Sequence, residues 1–317
     1  MRTYALRRLG AAAIVIVLVS VAVFVMMHLL PGDALIAKLG DTGRIPQDKM
    51  AELRHEMGID QPLPVQYAHW VGHIFDGSMG TSLIFDGQKV SSRIGDALPI
   101  TLELGVLGMA AALVLGVPLG ILSAVYQDKP LDYLVRVVSF VGLSLPSFWI
   151  GLMIIVYGTL YLGYQPPRGY VGLLHDPAAN LKLMWIPALV LGYGLSASIM
   201  RMTRSTVLEA QREDYTRTAR AKGLAGHVVV SRHVLRNALI PVVTLVGNQA
   251  AFIFSGALIL EVLFVLPGMG QLTYTAILQR DYTQVEGCAL VAGAIVVLIN
   301  LLIDLSYGVI DPRIRYA

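Results

Sequence analysis

His69 and His73 stand four residues apart, so on a helix they share one face and could hold a metal ion if a third ligand joined them. Only Asp76 follows closely enough, and beside Trp70 the pair reads as interfacial histidines. Thr244, Asn248 and Ser255 recur at i, i+4 and i+11 with Ala251 between them, one polar stripe along an apolar helix. Such a stripe either lines a polar path or bonds to a neighbouring helix, a contact worth roughly 0.6 to 2 kcal/mol in a bilayer. Gln249 lies about 100° round the helix and suits either role. The third feature is the run from Arg201 to Asn237, whose cations are Arg201, Arg204, Arg212, Arg217, Arg220, Lys222, Arg232 and Arg236. At roughly 2.5 kcal/mol or more per cation at mid-bilayer, burying them would cost on the order of 20 kcal/mol, so the run sits in water. There is no GxxxxGK[ST] loop to cradle nucleotide phosphates, no HExxH, and no serine–histidine pairing in the apolar runs. Cys288, in an apolar run, reads as packing.

The elements that carry these residues are apolar. The 317 residues are 56% hydrophobic and 14% charged, with a mean hydropathy of +0.66, which excludes a soluble domain and defines a polytopic membrane protein. A net charge of +3 is then a matter of topology and does not point to nucleic acid. Six apolar runs follow in order: Leu9–Leu30, Leu104–Tyr126, Val137–Pro166, Leu183–Met200, Ala238–Leu260 and Gly287–Ile310. The first, preceded by Arg2, Arg7 and Arg8, is too long for a signal-peptide core and has no Ala-x-Ala exit, so it reads as an uncleaved span. In the third, Pro146 frees a backbone carbonyl that Ser144 or Ser147 could satisfy. Glu103 and Glu261 fall near the outer ends of spans and Asp304 near an inner end, where solvation is the simpler reading than a gating pair. Residues 32–98 form the main outer segment, with an amphipathic helix expected at Pro46–Met57.

Charge fixes the orientation. Arg2, Arg7, Arg8, Lys129, Arg136, the eight loop cations, Arg313 and Arg315 fall on one side, whereas the short loops opposite hold only Arg168, Lys182 and Arg280. By the positive-inside bias both termini are cytoplasmic, and the long 32–98 segment is exempt from the count. The expected division is a first span at 1–31, an outer collar at 32–98, and a core at 99–317 with five spans and a cytoplasmic loop at 203–237.

Within that loop, Glu209–Lys222 contains neither Gly nor Pro, places Glu213 four residues before Arg217, and ends with Arg220 and Lys222 ahead of Gly223. That predicts a helix with cations at its C-terminal dipole and a glycine stop. After Gly226 a second helical stretch carries Val228, Leu235 and Leu239 on one side towards Pro241, completing an elbow. Charge alone would make it a loop resting on anionic lipid.

The order of residues says more. Tyr215-Thr-Arg-Thr-Ala-Arg-Ala-Lys-Gly-Leu224, followed by Arg236-Asn-Ala-Leu-Ile-Pro241, resembles the coupling loop of ABC-importer permeases of the dipeptide, oligopeptide and nickel branch. Gly58-Ile-Asp-Gln-Pro-Leu63, Gly77-Ser-Met-Gly80, Leu266-Pro-Gly-Met-Gly270 and Arg280-Asp-Tyr282 are similar to that branch as well. The resemblance implies an all-α type I importer permease of six transmembrane helices in the bacterial inner membrane. It implies a second permease, two ATPase subunits that bind the ATP and Mg, and an extracytoplasmic binding protein, with no cofactor or metal held by this chain. The loop helix would dock in a groove of the ATPase through Arg217, Ala219, Arg220, Ala221, Lys222, Gly223, Leu224, Arg236 and Asn237, with Gly223 the fixed point. The family's Glu-Ala-Ala falls at Arg217, Thr218 and Ala219, so its glutamate is absent. The fifth helix would border the translocation path, giving Ser144, Ser147, Thr244, Asn248, Gln249, Ser255 and Glu261 as candidate path residues. Peptides are the expected cargo, with nickel, glutathione and oligosaccharides as alternatives. An ion-driven secondary transporter would instead show ionisable groups at mid-membrane and paired broken helices, and the sequence shows neither.

Overall fold

The computed structural model describes residues 2–29, 55, 60–85, 87–166 and 169–310, with the side chains of 2–6, 251, 254, 255 and 304–310 outside the description. The helix expected at Pro46–Met57 lies, His55 apart, outside the described residues. Among those residues the fold is helical: α1 Arg2–Leu29, α2 Leu63–Phe75, α3 Val90–Val125, α4 Pro130–Ser144, α5 Ser147–Leu162, α6 Pro177–Arg212, α7 Asp214–Ala221, α8 Gly226–Val228, a π-helical segment Val229–Val234, α9 Leu235–Phe264, α10 Met269–Leu278 and α11 Tyr282–Ile310.

Among the described residues five helical stretches are long and apolar enough to cross a membrane, and the number rises to as many as seven when bent helix pairs are counted. The five overlap the first, second, fourth, fifth and sixth apolar runs. The third run departs from expectation, because α4 and α5 form one such pair with a bend of 99° between them. Leu145 precedes a proline and is pushed into the extended region, with φ −98 and ψ 128, so α4 must end there. No side chain caps α5, which begins after Pro146. The freed-carbonyl arrangement expected for Ser144 and Ser147 is therefore replaced by a true break.

Two compact units make up the chain: Met1–Thr101 with Pro267–Ala317, and Leu102–Leu266. In the first, α1 runs along α11 and the amphipathic α2 lays Trp70, Tyr67, Val71 and Ile74 against Phe24 and Leu290. Its polar centre is Asp281, which is fully buried. The Asp281 carboxylate accepts the Ser82 hydroxyl and the Leu83 backbone N–H (3.1 Å), caps α11 through the N–H of Gln284 (3.3 Å), and faces Arg93 at 3.8 Å. Arg280, with φ 56, makes the left-handed stop of α10 that delivers Asp281 to this position. His73 Nδ1 lies 3.1 Å from Asp76 Oδ2, and among the described residues no group of three metal-ligating side chains gathers round the His69–His73 pair.

The second unit is arranged around α6. Asp176 caps it by accepting the N–H groups of Ala178 (3.1 Å) and Ala179 (3.0 Å), with Pro177 in the first turn. Gly108, Gly116 and Gly120 of α3 recur at fourfold spacings and approach α6 so closely that an added Cβ would lie 2.7 Å from Leu191, Ile199 and Thr203 respectively. Gly192 answers from α6: a Cβ there would meet the Ala111 Cβ and the Gly108 carbonyl oxygen, each at 2.6 Å. Small residues at such a seam let two backbones gain dispersion contact that lipid chains cannot supply. Gly192→Ala is thus expected to lower the detergent-solubilised melting point, at about 1–3 kcal/mol for overpacking against backbone. Gly194→Ala meets only Ser147 Cβ at 3.8 Å and should be neutral or gain up to about 1 kcal/mol from helix propensity; equal loss in both variants would refute the seam.

Candidate functional site: the polar elbow

The helix expected over Glu209–Lys222 is in fact two. Glu213 adopts φ −67 and ψ 150, which ends α6 at Arg212 and makes Glu213 the N-cap position of α7. Thr216 holds the turn together: its hydroxyl donates to the Ala210 carbonyl at 2.8 Å, and the residue is fully buried. Ala219, one turn further along α7, packs with Val207 and Ala210 of α6, Ala124 of α3 and Val229, Val234 and Ala238. One face of an eight-residue helix is thereby glued down.

The other face is exposed, with Arg217, Arg220, Ala221 and Lys222 all in solvent. Because Glu213 has left the helix, Arg217 pairs with Asp214 at 3.4 Å and not with Glu213, and with both side chains open to water that contact is worth little. The helix stops as a Schellman motif: Gly223 N–H donates to Arg220 O (2.9 Å) and Leu224 N–H to Ala219 O (3.4 Å). Gly223 has φ +78 and nothing lies within 4 Å of a notional Cβ, so backbone conformation, and not crowding, is what demands glycine.

The return limb also differs from the expected face. Val229–Val234 is π-helical, and in that wider turn residues five apart come into line, so Val229, Val234 and Ala238 are buried while Val228, Leu235 and Leu239 are only partly covered. Arg236 and Asn237 are exposed at the start of α9, which continues through Pro241. Beside the elbow an open groove of about 490 Å³ is lined by Arg204, Ser205, Leu208, Arg212, Glu213 and their neighbours.

The candidate path residues differ in their surroundings. Asn248 is exposed, whereas Gln249 turns to α6 and donates its amide to Ser198 Oγ. Thr244 donates to the Ile240 carbonyl of its own helix at 3.3 Å, and the side chain of Ser255 lies outside the description. Ser144 is exposed on α4, while Ser147 sits beside Gly194, one turn along α6 from Ser198. The two glutamates read as solvated are both drawn into the protein, Glu261 fully and Glu103 in part. Glu103 Oε2 accepts the hydroxyl of Tyr170 at 2.5 Å, and burial together with that carboxylate pushes the Tyr170 phenol up to about 12. Sequence spacing had no means of finding one further pair, Asp132 with Arg204, which lie 72 positions apart and bond at 2.8 Å.

The described residues thus form an apolar helical bundle that carries one polar, water-exposed elbow. The chain matches the family of the binding-protein-dependent transport system inner membrane component over residues 116–316, and the corresponding N-terminal membrane-component family over residues 1–105; it belongs to that family. It is 36% identical to the dipeptide transport system permease protein DppB of Escherichia coli (strain K12), covering 100% of this chain and 99% of that one. It is 40% identical to a protein of Brucella suis biovar 1 (strain 1330) named as a peptide permease, with 99% of each chain covered. A crystal structure of an amino acid ABC transporter with histidines shares the fold, with a TM-score of 0.54 at 16% identity over 68% of this chain and 92% of that chain. The protein is therefore a multi-pass inner-membrane permease subunit of an ABC importer, in the peptide branch, and its role is transport.

Gln249 and Asn248 separate packing from lining. Gln249→Leu removes the bond to Ser198 and should cost about 0.6–2 kcal/mol of stability. Asn248→Leu should leave melting and assembly unchanged while lowering uptake; loss of assembly would instead make Asn248 a packing residue.

Proposed function

We propose that this chain lines one half of the translocation path of an ATP-driven importer of dipeptides and oligopeptides. The observation that carries the reading is the elbow. A helix of eight residues is too short to persist alone in water, so Thr216 and Ala219 supply its order and leave Arg217, Arg220, Ala221 and Lys222 as a fixed surface for a partner. That surface takes the groove of an ATPase subunit, with Gly223 and Leu224 at its tip and Arg236 and Asn237 on the return limb. ATP and Mg are bound by two such partner subunits, and hydrolysis is theirs; this chain holds no cofactor. A homologous second permease completes the path and an extracytoplasmic binding protein delivers cargo to the 32–98 collar. Both termini and the elbow lie in the cytoplasm, which the distribution of Lys and Arg supports. Closure of the ATPases displaces the elbow, and the spans alternate between inward-open and outward-open states because each ligand contacts the two states unequally.

Peptide cargo rests on the names of the relatives; nickel, glutathione and oligosaccharides remain the alternatives within the branch. Gly223→Trp is expected to leave the spans folded and the binding protein competent for cargo, while cargo-stimulated hydrolysis falls about tenfold or more. Ala221→Trp probes the same surface without touching a left-handed residue, so it distinguishes docking from the turn. Cargo accumulation by the chain alone in ATP-free vesicles would overturn the reading. In a Cys288→Ala background, Gln165→Cys should label from outside sealed cells and Gly226→Cys should not; the reverse pattern would invert the topology.

A further inference from the structure

Asp132 is completely buried at the start of α4, and its carboxylate is held from three directions. Arg204 donates Nε to Oδ1 and Nη2 to Oδ2, both at 2.8 Å; Ser123 donates its hydroxyl to Oδ1 at 2.5 Å; the backbone N–H of Asp128 donates to Oδ2 at 3.0 Å. One carboxylate thus joins the last turn of α3, the turn between α3 and α4, and α6 just before the elbow. A buried ion pair commonly adds little over apolar packing of the same volume, so what it connects is the better account of its presence. The contacts that seat the elbow, made by Ala124, Val207, Ala210 and Ala219, are apolar and indifferent to small sliding. A bidentate fork is not: it fixes distance and orientation together. Arg204 also forms part of the wall of the groove beside Arg212 and Glu213, so one residue both bonds the buried turn and lines the elbow's groove.

We propose that Asp132 and Arg204 are positioning residues for coupling: the rigid link through which displacement of the elbow becomes displacement of α3 and α4. This rests on the elbow being the ATPase contact. A merely structural pair would affect folding, hydrolysis and transport together. A link, when cut, leaves the ATPase docked and turning over while the spans no longer follow.

The test uses the whole importer with its partner subunits and loaded binding protein in proteoliposomes, with labelled dialanine as probe. For Asp132→Asn the ATPases should still associate and stimulated hydrolysis should stay within about twofold of the parent, while dialanine moved per ATP falls about fivefold or more. Arg204→Lys keeps the charge and loses the fork; it should shift the same ratio in the same direction, and it carries the test if Asp132→Asn fails to assemble. A cargo-independent measurement uses spin labels at Gln127→Cys on the turn and His227→Cys on the elbow. Their separation should be constant between nucleotide-free and ATP-bound parent complexes and should change in the Asp132→Asn background. Proportional loss of uptake and hydrolysis, an unchanged ratio in both variants, or a separation that changes in the parent complex would each overturn the link. ATPase association that survives Gly223→Trp would instead refute the docking reading on which it stands.

Discussion

The close approach of α3 to α6 is the constraint on which the second unit depends. Lipid chains are as apolar as leucine, so two transmembrane helices gain nothing by hiding hydrophobic surface from each other and must gain from contact at short range. Gly108, Gly116 and Gly120 on one side and Gly192 on the other remove the side chains that would hold the axes apart. With that seam fixed, α6 becomes a post against which α4, α5 and α9 all pack. Its C-terminal end is then a defined place from which to hang the elbow.

The elbow shows how little apolar surface is needed to order a water-exposed element. Thr216 and Ala219 are small, yet the hydroxyl bond to Ala210 and the alanine's seat among Val207, Val229 and Val234 immobilise a helix whose remaining side chains are almost all solvated. Cations at Arg220 and Lys222 lie at the negative end of that helix, where they favour its dipole. The solvated face and the face that orders the helix are thus kept apart.

Much of this was legible in the sequence. Composition and the apolar runs give the membrane class, and the glycine after Arg220 and Lys222 gives the stop that φ +78 at Gly223 realises. What escaped was whatever depends on contacts far apart in the chain or on a departure from the α period. The break at Glu213 follows from the Thr216 bond and has no local breaker to announce it. The π segment moves the buried face from Val228, Leu235 and Leu239 to Val229, Val234 and Ala238, which a 3.6-residue template cannot anticipate. Gln249 and Asn248 are neighbours of similar polarity, and only the position of Ser198 makes one of them a packing residue.

The order of contacts along the seam has a geometric consequence for the bent pair. Gly108, Gly116 and Gly120 meet Leu191, Ile199 and Thr203 in the same sequence order, so α3 and α6 run parallel. Parallel neighbours in a bilayer cannot be joined by a hairpin; the chain between them must cross back. Helices of 15 and 16 residues, α4 and α5, are the crossing. At about 1.5 Å per residue and turned by 99°, their combined end-to-end reach is about 30 Å, the thickness of the hydrocarbon core. The break before Pro146 therefore gives two helices that would overshoot the bilayer if straight an end-to-end reach close to its thickness.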